Sequence, residues 1–302
     1  MKKLSVVIVS YNARQYLGPC IRSVEQAMKG IDGEIIVVDN QSSDGTVEDL
    51  KAHFPQVQVV ESGGNIGFAK ANNIGIRLSH SPYVLLLNPD TVVGANTLRQ
   101  TVDFMEQHPQ VGAAGVQMLN ADGTRAPESR RGRPTALVAL YKMCGLARLF
   151  PNSRRFARYY MSWLSWSEPA EIDVISGAFA MLRRKALDQV GLLDEDFFMY
   201  GEDIDLSFRL LDAGWHNCYL PCKIVHYKGG CSDKTTVSYV RVFYKAMIIY
   251  YRKHHAQTNF CIRKLVELAI WIRALLAMIG ILPSRLVRTR VKTIITPQDL
   301  LT

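Results

Sequence analysis

Tyr83-Val84-Leu85-Leu86-Leu87-Asn88-Pro89-Asp90 (YVLLLNPD) is an apolar run that stops abruptly at a polar triplet ending in a carboxylate. A short, unbroken apolar stretch bounded by a proline turn is the pattern of a strand buried on both faces. In open α/β sheets, ligands bind beyond the carboxyl ends of the strands. The run therefore delivers one acid, Asp90, to the edge where a ligand would lie. Beside a proline that stiffens the turn, such an acid suits holding a hard divalent cation against a phosphate. In this segment alone, a strand followed by an ordinary Asx turn reads the same way.

Upstream, Leu4–Ser10 is a β-branched run and Glu34–Asp39 (EIIVVD) a second buried strand ending in an acid. Between them, Leu17, Ile21, Val24 and Met28 recur at helical spacing, which predicts a helix over 13–28. Further helices are expected over 47–54 and 67–78, the second with Lys70, Asn73 and Arg77 on its polar side, and a third strand over 57–61. This alternation predicts an α/β fold with a parallel, Rossmann-like sheet. Three strands then end in polar residues, Tyr11-Asn12, Asp39-Asn40 and Asn88-Pro89-Asp90, and βαβ units point those ends the same way. A nucleotide site is the natural inference. Neither a GxGxxG fingerprint nor a P-loop is present, which argues against nicotinamide-dependent enzymes and P-loop kinases.

Downstream, a helix is expected over 95–107, strands over 111–116 and 172–182, and short strands over 215–220 and 223–226. A helix over 202–213 would place Ile204, Phe208 and Leu211 on one face and stop at the C-cap Gly214. It opens with Gly201-Glu202-Asp203-Ile204-Asp205. The macrodipole favours acids in a first turn, and Asp205 with Arg209 four residues on explains itself as a surface ion pair. Three acids exceed what capping needs, and one held at a cleft edge can take a proton from a hydroxyl.

The chain has 302 residues, 48% of them hydrophobic, and a formal net charge of +9. The opening MKKLSVVIVSYN resembles a signal peptide only until Ser10-Tyr11-Asn12 and has no small-residue cleavage site, so a cytosolic chain is expected. Cys218, Cys222 and His226 match no common zinc spacing, and the cysteines are expected to be reduced. Basic residues concentrate over Arg125–Arg158 and Arg241–Arg290, among Trp, Tyr and Leu, which suits an anionic membrane surface. No nucleic-acid-binding signature accompanies them, and no nucleic-acid partner is expected. Helices are expected over 240–252 and 262–281, the second closed by Pro283. Spanning a bilayer takes roughly 17–25 apolar residues, and Glu267 and Arg273 interrupt the run, so these helices are expected to lie on the membrane or to pack on the domain or a partner subunit.

SVVIVSYN, IIVVDNQSSDG, GGNIGFAKANNIGI, VLLLNPD, SGAFAMLRR and FFMYGEDIDLSFRLLDAGW together resemble glycosyltransferase family 2, most of all its bacterial rhamnosyltransferase-type members. The resemblance runs from about Leu4 to His226. It implies a GT-A fold and inverting transfer from a nucleotide-diphosphate sugar with Mg2+ or Mn2+. Ser10, Tyr11, Asn12, Asp39, Asn65, Gly67, Asn72 and Asn88 would then border the nucleotide, and Asp90 would match the last acid of the metal motif. Asn88 stands where many members have a first Asp. His226 either completes the metal site or is a strand-end histidine bonded to backbone. Asp203 matches the catalytic base, with Glu202, Gly177 and Arg130 expected on the acceptor side.

The resulting expectation is a catalytic domain over 1–235, divided near 117 into donor and acceptor halves, and a C-terminal helical region over 236–302. It would move rhamnose from dTDP-rhamnose to a lipid-linked saccharide at the cytoplasmic face of the inner membrane, as a peripheral or monotopic protein. The C-terminal helices would contact anionic lipid or form a homo-oligomer. The alternatives are a UDP-hexose or UDP-N-acetylhexosamine donor, a nucleotidyltransferase (whose Gly-rich triphosphate loop is missing) and a catalytically silent scaffold.

Overall fold

The four apolar runs of the first ninety residues form neighbouring parallel strands. They are β1 (Leu4–Ser10), β2 (Gly33–Asp39), β3 (Gln58–Glu61) and β4 (Tyr83–Leu87), in spatial order β3-β2-β1-β4. Parallel neighbours need a crossover, and the helices α1 (Arg14–Ala27), α2 (Thr46–His53) and α3 (Phe68–Leu78) supply it. Leu17, Ile21 and Val24 of α1 are buried beneath the sheet with Leu4, Val6 and Ile8 of β1. Each such side chain contributes about 1.5–3 kcal/mol by leaving water. The computed structural model describes residues 2–227, 236–255, 257 and 259–284, so Cys231 and the basic residues beyond Ser284 lie outside it.

Beyond β4 the sheet becomes mixed. The chain continues through β5 (Thr91–Val93), α4 (Thr97–Gln107), β6 (Val111–Leu119), two short helices α5 (Ala136–Met143) and α6 (Leu146–Leu149), and β7 (Ala170–Glu171). It ends the sheet with β8 (Phe179–Arg183), α7 (Arg184–Val190), α8 (Glu202–Asp212) and β9 (His216–His226). The order runs β3-β2-β1-β4-β8-β6-β9-β5, with β7 on β9. β8 is antiparallel to both β4 and β6. Its start therefore lies at the same edge as the end of β4, where Leu87 pairs with Phe179.

Several elements differ from the sequence reading. Of the 172–182 run only 179–182 is strand, and it continues to Arg183. Before it, Phe179 N–H bonds back to Ser176 and the backbone of Val174 bridges Arg131. The strands expected over 215–220 and 223–226 are one strand, β9, whose register on β6 slips between Leu220 and Lys223, at Pro221, since proline offers the ladder no donor. In α8 the buried face is Leu206 and Leu210 rather than Ile204 and Leu211. Asn73 of α3 is buried and bonds the Leu193 backbone from both ends of its amide.

The last two helices, α9 (Val237–His254) and α10 (Phe260–Ser284), pack on each other, and α9 clasps α8. Asp205 is fully buried, not a surface residue: Oδ2 accepts from Arg209 Nε at 2.8 Å, and Oδ1 from Lys253 Nζ at 2.8 Å and His254 Nε2 at 2.9 Å. Burial alone would raise this carboxyl, but the bonds from His254, Lys253 and Arg209 outweigh it and hold it well below the usual range. At the other end of α9, Tyr239 and Phe243 pack edge-on to Tyr200. α9 thus grips the chain on both sides of Asp203.

Candidate active site

The carboxyl ends of β1, β2 and β4 converge because their registers match: Ser10 lies opposite Asp39, and Ile8 opposite Leu87. Asn12 and Gln41, just past β1 and β2, have φ of 49° and 68°. Non-glycine residues take that left-handed conformation only where the surroundings enforce it, and such strain gathers at functional sites. Here Asn12 Oδ1 accepts from Ser43 N at 2.8 Å, and its own N–H bonds Ser42 Oγ at 2.9 Å, so Asn12 shapes the loop. Asp39 spends Oδ2 on Ser42 N at 2.8 Å, while its buried Oδ1 has no partner. Ser10 Oγ is likewise buried without a partner. Tyr11 is exposed at the rim.

The far wall of this cleft is the loop before α3. Asn65 Oδ1 accepts from Asn40 Nδ2 at 3.0 Å, and Asn40 Oδ1 accepts from Ile66 N at 3.0 Å. Asn40, outside the residues expected at the nucleotide, thus ties β2 to this loop. Gly67 has φ 91°, and a Cβ there would stand 2.6 Å from the Phe198 carbonyl, so only glycine fits. Asn72 is turned away: it is buried and donates to the Phe68 carbonyl one turn back, supporting α3 itself.

Asp90 and His226 meet because β5 pairs antiparallel with β9, setting Thr91 opposite His226. His226 Nε2 lies 3.2 Å from Asp90 Oδ1 and 3.5 Å from Asn88 Nδ2. His226 Nδ1 is buried without a partner, so the ring is not anchored to backbone through that atom. Among the described residues no group of three or more His, Cys, Asp or Glu gathers as a metal cage. One carboxylate and one imidazole still fit a divalent cation that keeps water and takes its remaining ligands from a substrate diphosphate. Asn88 borders the pair through its amide.

The edge continues from β4 to the acid cluster through backbone. Asn88 N–H donates to the Ala178 carbonyl at 3.1 Å, and the preceding residue, Gly177, donates its N–H to Asp203 Oδ2 at 3.2 Å. The glycine thus serves as a backbone donor to the acid. Asp203 Oδ2 also accepts from Arg131 Nη2, and Oδ1 accepts from Ile204 N at 2.8 Å. Glu202 is buried. With Asp203 it lines a cavity of about 20 Å³ among Phe68, Leu86, Ala180, Leu206 and Leu210, room for roughly one water. Burial, and next the Asp203 charge, push the Glu202 carboxyl up to about 8.

Arg130, expected on the acceptor side, is 1% exposed and structural. Its guanidinium lies 3.6 Å from the Trp166 ring and donates to the carbonyls of Leu164 and Ser165. The arginine that reaches the site is its neighbour, Arg131. Seven buried side-chain atoms lack a hydrogen-bond partner among the described residues, and five of them (Ser10 Oγ, Asp39 Oδ1, Arg131 Nε, Glu202 Oε2 and His226 Nδ1) belong to this edge or the acid cluster. Buried polar groups are ordinarily satisfied, so the three along the strand edge, Ser10 Oγ, Asp39 Oδ1 and His226 Nδ1, suit a polar ligand.

The family model for glycosyl transferase family 2 matches residues 5–191. The N-acetylglucosaminyl-diphospho-decaprenol L-rhamnosyltransferase of Mycobacterium tuberculosis (strain H37Rv) is 28% identical over 267 residues, covering 84% of this chain and 85% of that one. The rhamnosyltransferase WbbL of Escherichia coli K12 is 26% identical over 238 residues, covering 74% and 82% respectively. Among solved structures, the mannosyltransferase PcManGT of Pyrobaculum calidifontis, in complex with GDP-Man and Mn2+, superposes with a TM-score of 0.57 at 16% identity, covering 96% of this chain and 76% of that one. That likeness concerns the fold.

Proposed function

The chain belongs to glycosyl transferase family 2, and on that premise we propose that it transfers rhamnose from dTDP-rhamnose, with inversion, to a lipid-linked saccharide in cell-surface polysaccharide synthesis. The observation that carries the site reading is the set of unsatisfied buried polar atoms along the carboxyl edge of a GT-A sheet, Ser10 Oγ, Asp39 Oδ1 and His226 Nδ1. The names of both relatives favour rhamnose, and that of the Mycobacterium tuberculosis relative favours a lipid-linked acceptor.

In this reading Ser10, Asp39 and the Asn40–Asn65 wall hold the nucleotide. The acceptor hydroxyl lies against Asp203, which takes its proton as the oxygen attacks the anomeric carbon. The new C–O bond forms as the bond to the diphosphate breaks, and the nucleoside diphosphate leaves with the electron pair. Attack comes from the face opposite the leaving group, as inversion demands. A divalent cation held by Asp90 and His226 would neutralise charge on the diphosphate. A thermal-shift panel of dTDP-rhamnose, UDP-glucose and UDP-N-acetylglucosamine, with and without Mn2+, tests the donor. Ligand at about 100-fold its Kd adds about 2.7 kcal/mol of apparent stability. The largest rise is expected for dTDP-rhamnose with Mn2+; a larger rise for a UDP-sugar would reassign the donor, and no rise for any would overturn the nucleotide-sugar reading.

The C-terminal helices carry the second part of the proposal, attachment to the cytoplasmic face of the inner membrane. α10 turns its acid inward, where Glu267 takes a bidentate pair from Arg252 at 2.8 and 2.9 Å. Outward it exposes Leu265, Leu268, Trp271, Leu275 and Ile279, with Lys264 and Arg273 among them. No helix in the described residues is long and apolar enough to cross a membrane. An apolar face flanked by cations suits lying in the interface of an anionic leaflet. Trp271→Glu with Leu275→Glu should reduce flotation with phosphatidylglycerol vesicles at least about tenfold, since each change removes burial worth more than about 1.4 kcal/mol. Undiminished flotation would refute this attachment, and a concentration-dependent dimer abolished by the same changes would assign the face to a second copy.

A further inference from the structure

Arg131 has no assigned part in the reaction, yet it makes the one ion pair that Asp203 forms among the described residues. It is also itself unusually well fixed. Its backbone carbonyl accepts from both Asp173 N at 3.1 Å and Val174 N at 2.9 Å. The same Nη2 that reaches Asp203 donates to the Ile175 carbonyl at 2.7 Å. The next residue, Gly132, bonds Tyr159 at 2.9 Å, and a Cβ on it would stand 2.1 Å from the Arg158 carbonyl. That close approach leaves the segment little freedom to shift. The side chain is 13% exposed, against 18% for Asp203.

The consequence for Asp203 is geometric. An ionised carboxylate offers about four acceptor positions, and three donors occupy this one: Arg131 Nη2 and Gly177 N on Oδ2, and Ile204 N on Oδ1. The remaining acceptor position, on Oδ1, is the one an acceptor hydroxyl must use. Without the arginine, Oδ2 keeps among the described residues only the 3.2 Å bond from Gly177 N. The carboxylate then keeps only the Gly177 and Ile204 backbone N–H groups and loses its one side-chain anchor among the described residues.

We propose that Arg131 is the positioning residue of this enzyme: it holds the Asp203 carboxylate in the rotamer that meets the acceptor hydroxyl, while touching neither donor nor acceptor. The inference rests on the reading of Asp203 as the base. It separates Arg131 from the adjacent Arg130, which serves the fold. A planar guanidinium that bonds a carboxylate and a carbonyl at once is not replaced by an ammonium, which keeps the charge and loses the fixed fork.

The test uses the full chain with dTDP-rhamnose and a synthetic N-acetylglucosaminyl-diphospho-lipid acceptor. Arg131→Ala is expected to lower kcat about 100-fold, the scale of an ångström of misplacement. Donor Kd and the thermal midpoint should stay near those of the parent, and Arg131→Lys should recover part of the loss. Unchanged kcat in Arg131→Ala overturns the proposal. So does a loss matched by weakened donor binding and a lowered midpoint, because that is support of the fold. If Arg131→Ala does not fold, Arg131→Lys decides: kcat equal to the parent's overturns the proposal, and a selective fall in kcat sustains it. Asp203→Asn is run beside them. Full turnover there removes the base reading itself, whereas a dead Asp203→Asn with an active Arg131→Ala removes only the positioning role.

Discussion

Asp203→Asn should fold, bind donor as the parent does, and lose transfer by about 10²–10⁴-fold, the range that general-base catalysis supplies. The substitution is nearly isosteric, and an amide oxygen at the Oδ2 position can still accept from Gly177 N and Arg131 Nη2, although Ile204 N, which bonds Oδ1, then faces the amide nitrogen. An amide cannot take the acceptor's proton. Glu202→Gln is the informative contrast, although the residue is adjacent and also acidic. Glu202 is 5% exposed and lines the apolar cavity behind Asp203. Burial and the neighbouring Asp203 charge push its carboxyl up to about 8, which favours the protonated acid that Gln imitates.

Turnover in Glu202→Gln should therefore stay within a few-fold of the parent, and its stability should differ from the parent's in a defined window. A carboxyl raised in the folded state binds more protons folded than unfolded between about 4.5 and 8, so the parent loses stability as pH rises through that interval. Gln does not titrate, and the variant's denaturant midpoint should gain on the parent's over the same interval. Equal loss of turnover in both variants would mean that the two acids act as one unit, and comparable turnover in Asp203→Asn would end the assignment of the base.

The parts of this site carried by strand ends were legible from the sequence because a buried strand writes its period and its stop into consecutive residues. Ser10, Asp39 and Asp90 needed only that β1, β2 and β4 be parallel neighbours, which short βαβ spacing dictates. Their meeting with Asp203 was reachable through the resemblance. Arg131 was not legible. Side chains alternate along an extended segment, so of the adjacent pair one faces the site and the other the interior. Nothing local says which: Arg130 is selected for the interior by Trp166, 36 residues later in the chain, and Arg131 for the site by Asp203, separated by 72. Asp205 failed for a similar reason. Its i,i+4 partner Arg209 is visible on any helix, whereas burial comes from Lys253 and His254 on α9. Asn72 reads as polar and site-facing until its amide is seen to bond its own helix at Phe68.

Asp90→Ala should remove the metal-dependent part of donor binding and lower transfer about 10²–10³-fold, the scale seen when one group stabilising developing charge is removed. Asp90 is 5% exposed, and its only ion pair among the described residues is with His226 at 3.2 Å. The backbone around it is held independently: Tyr227 N–H bonds the Asp90 carbonyl at 2.9 Å, and Thr91 Oγ1 bonds the Asn88 carbonyl at 2.7 Å. Loss of the carboxylate should therefore leave the strand end in place and alter the charge of the site. In the parent, Mn2+ should enlarge the thermal shift produced by a nucleotide-diphosphate sugar, and EDTA should reverse it. In Asp90→Ala the shift should be the same with Mn2+ as with EDTA. His226→Ala should weaken the Mn2+ effect about 10–100-fold in metal affinity without abolishing it, because the carboxylate and the diphosphate still share the ion. The two variants thus rank the ligands: if His226→Ala costs as much as Asp90→Ala, the histidine is a full partner, and if it costs nothing, it is held by Asp90 as a strand-end residue. An undiminished Mn2+ effect in Asp90→Ala would place the cation elsewhere and return Asp90 to the role of a turn residue after β4.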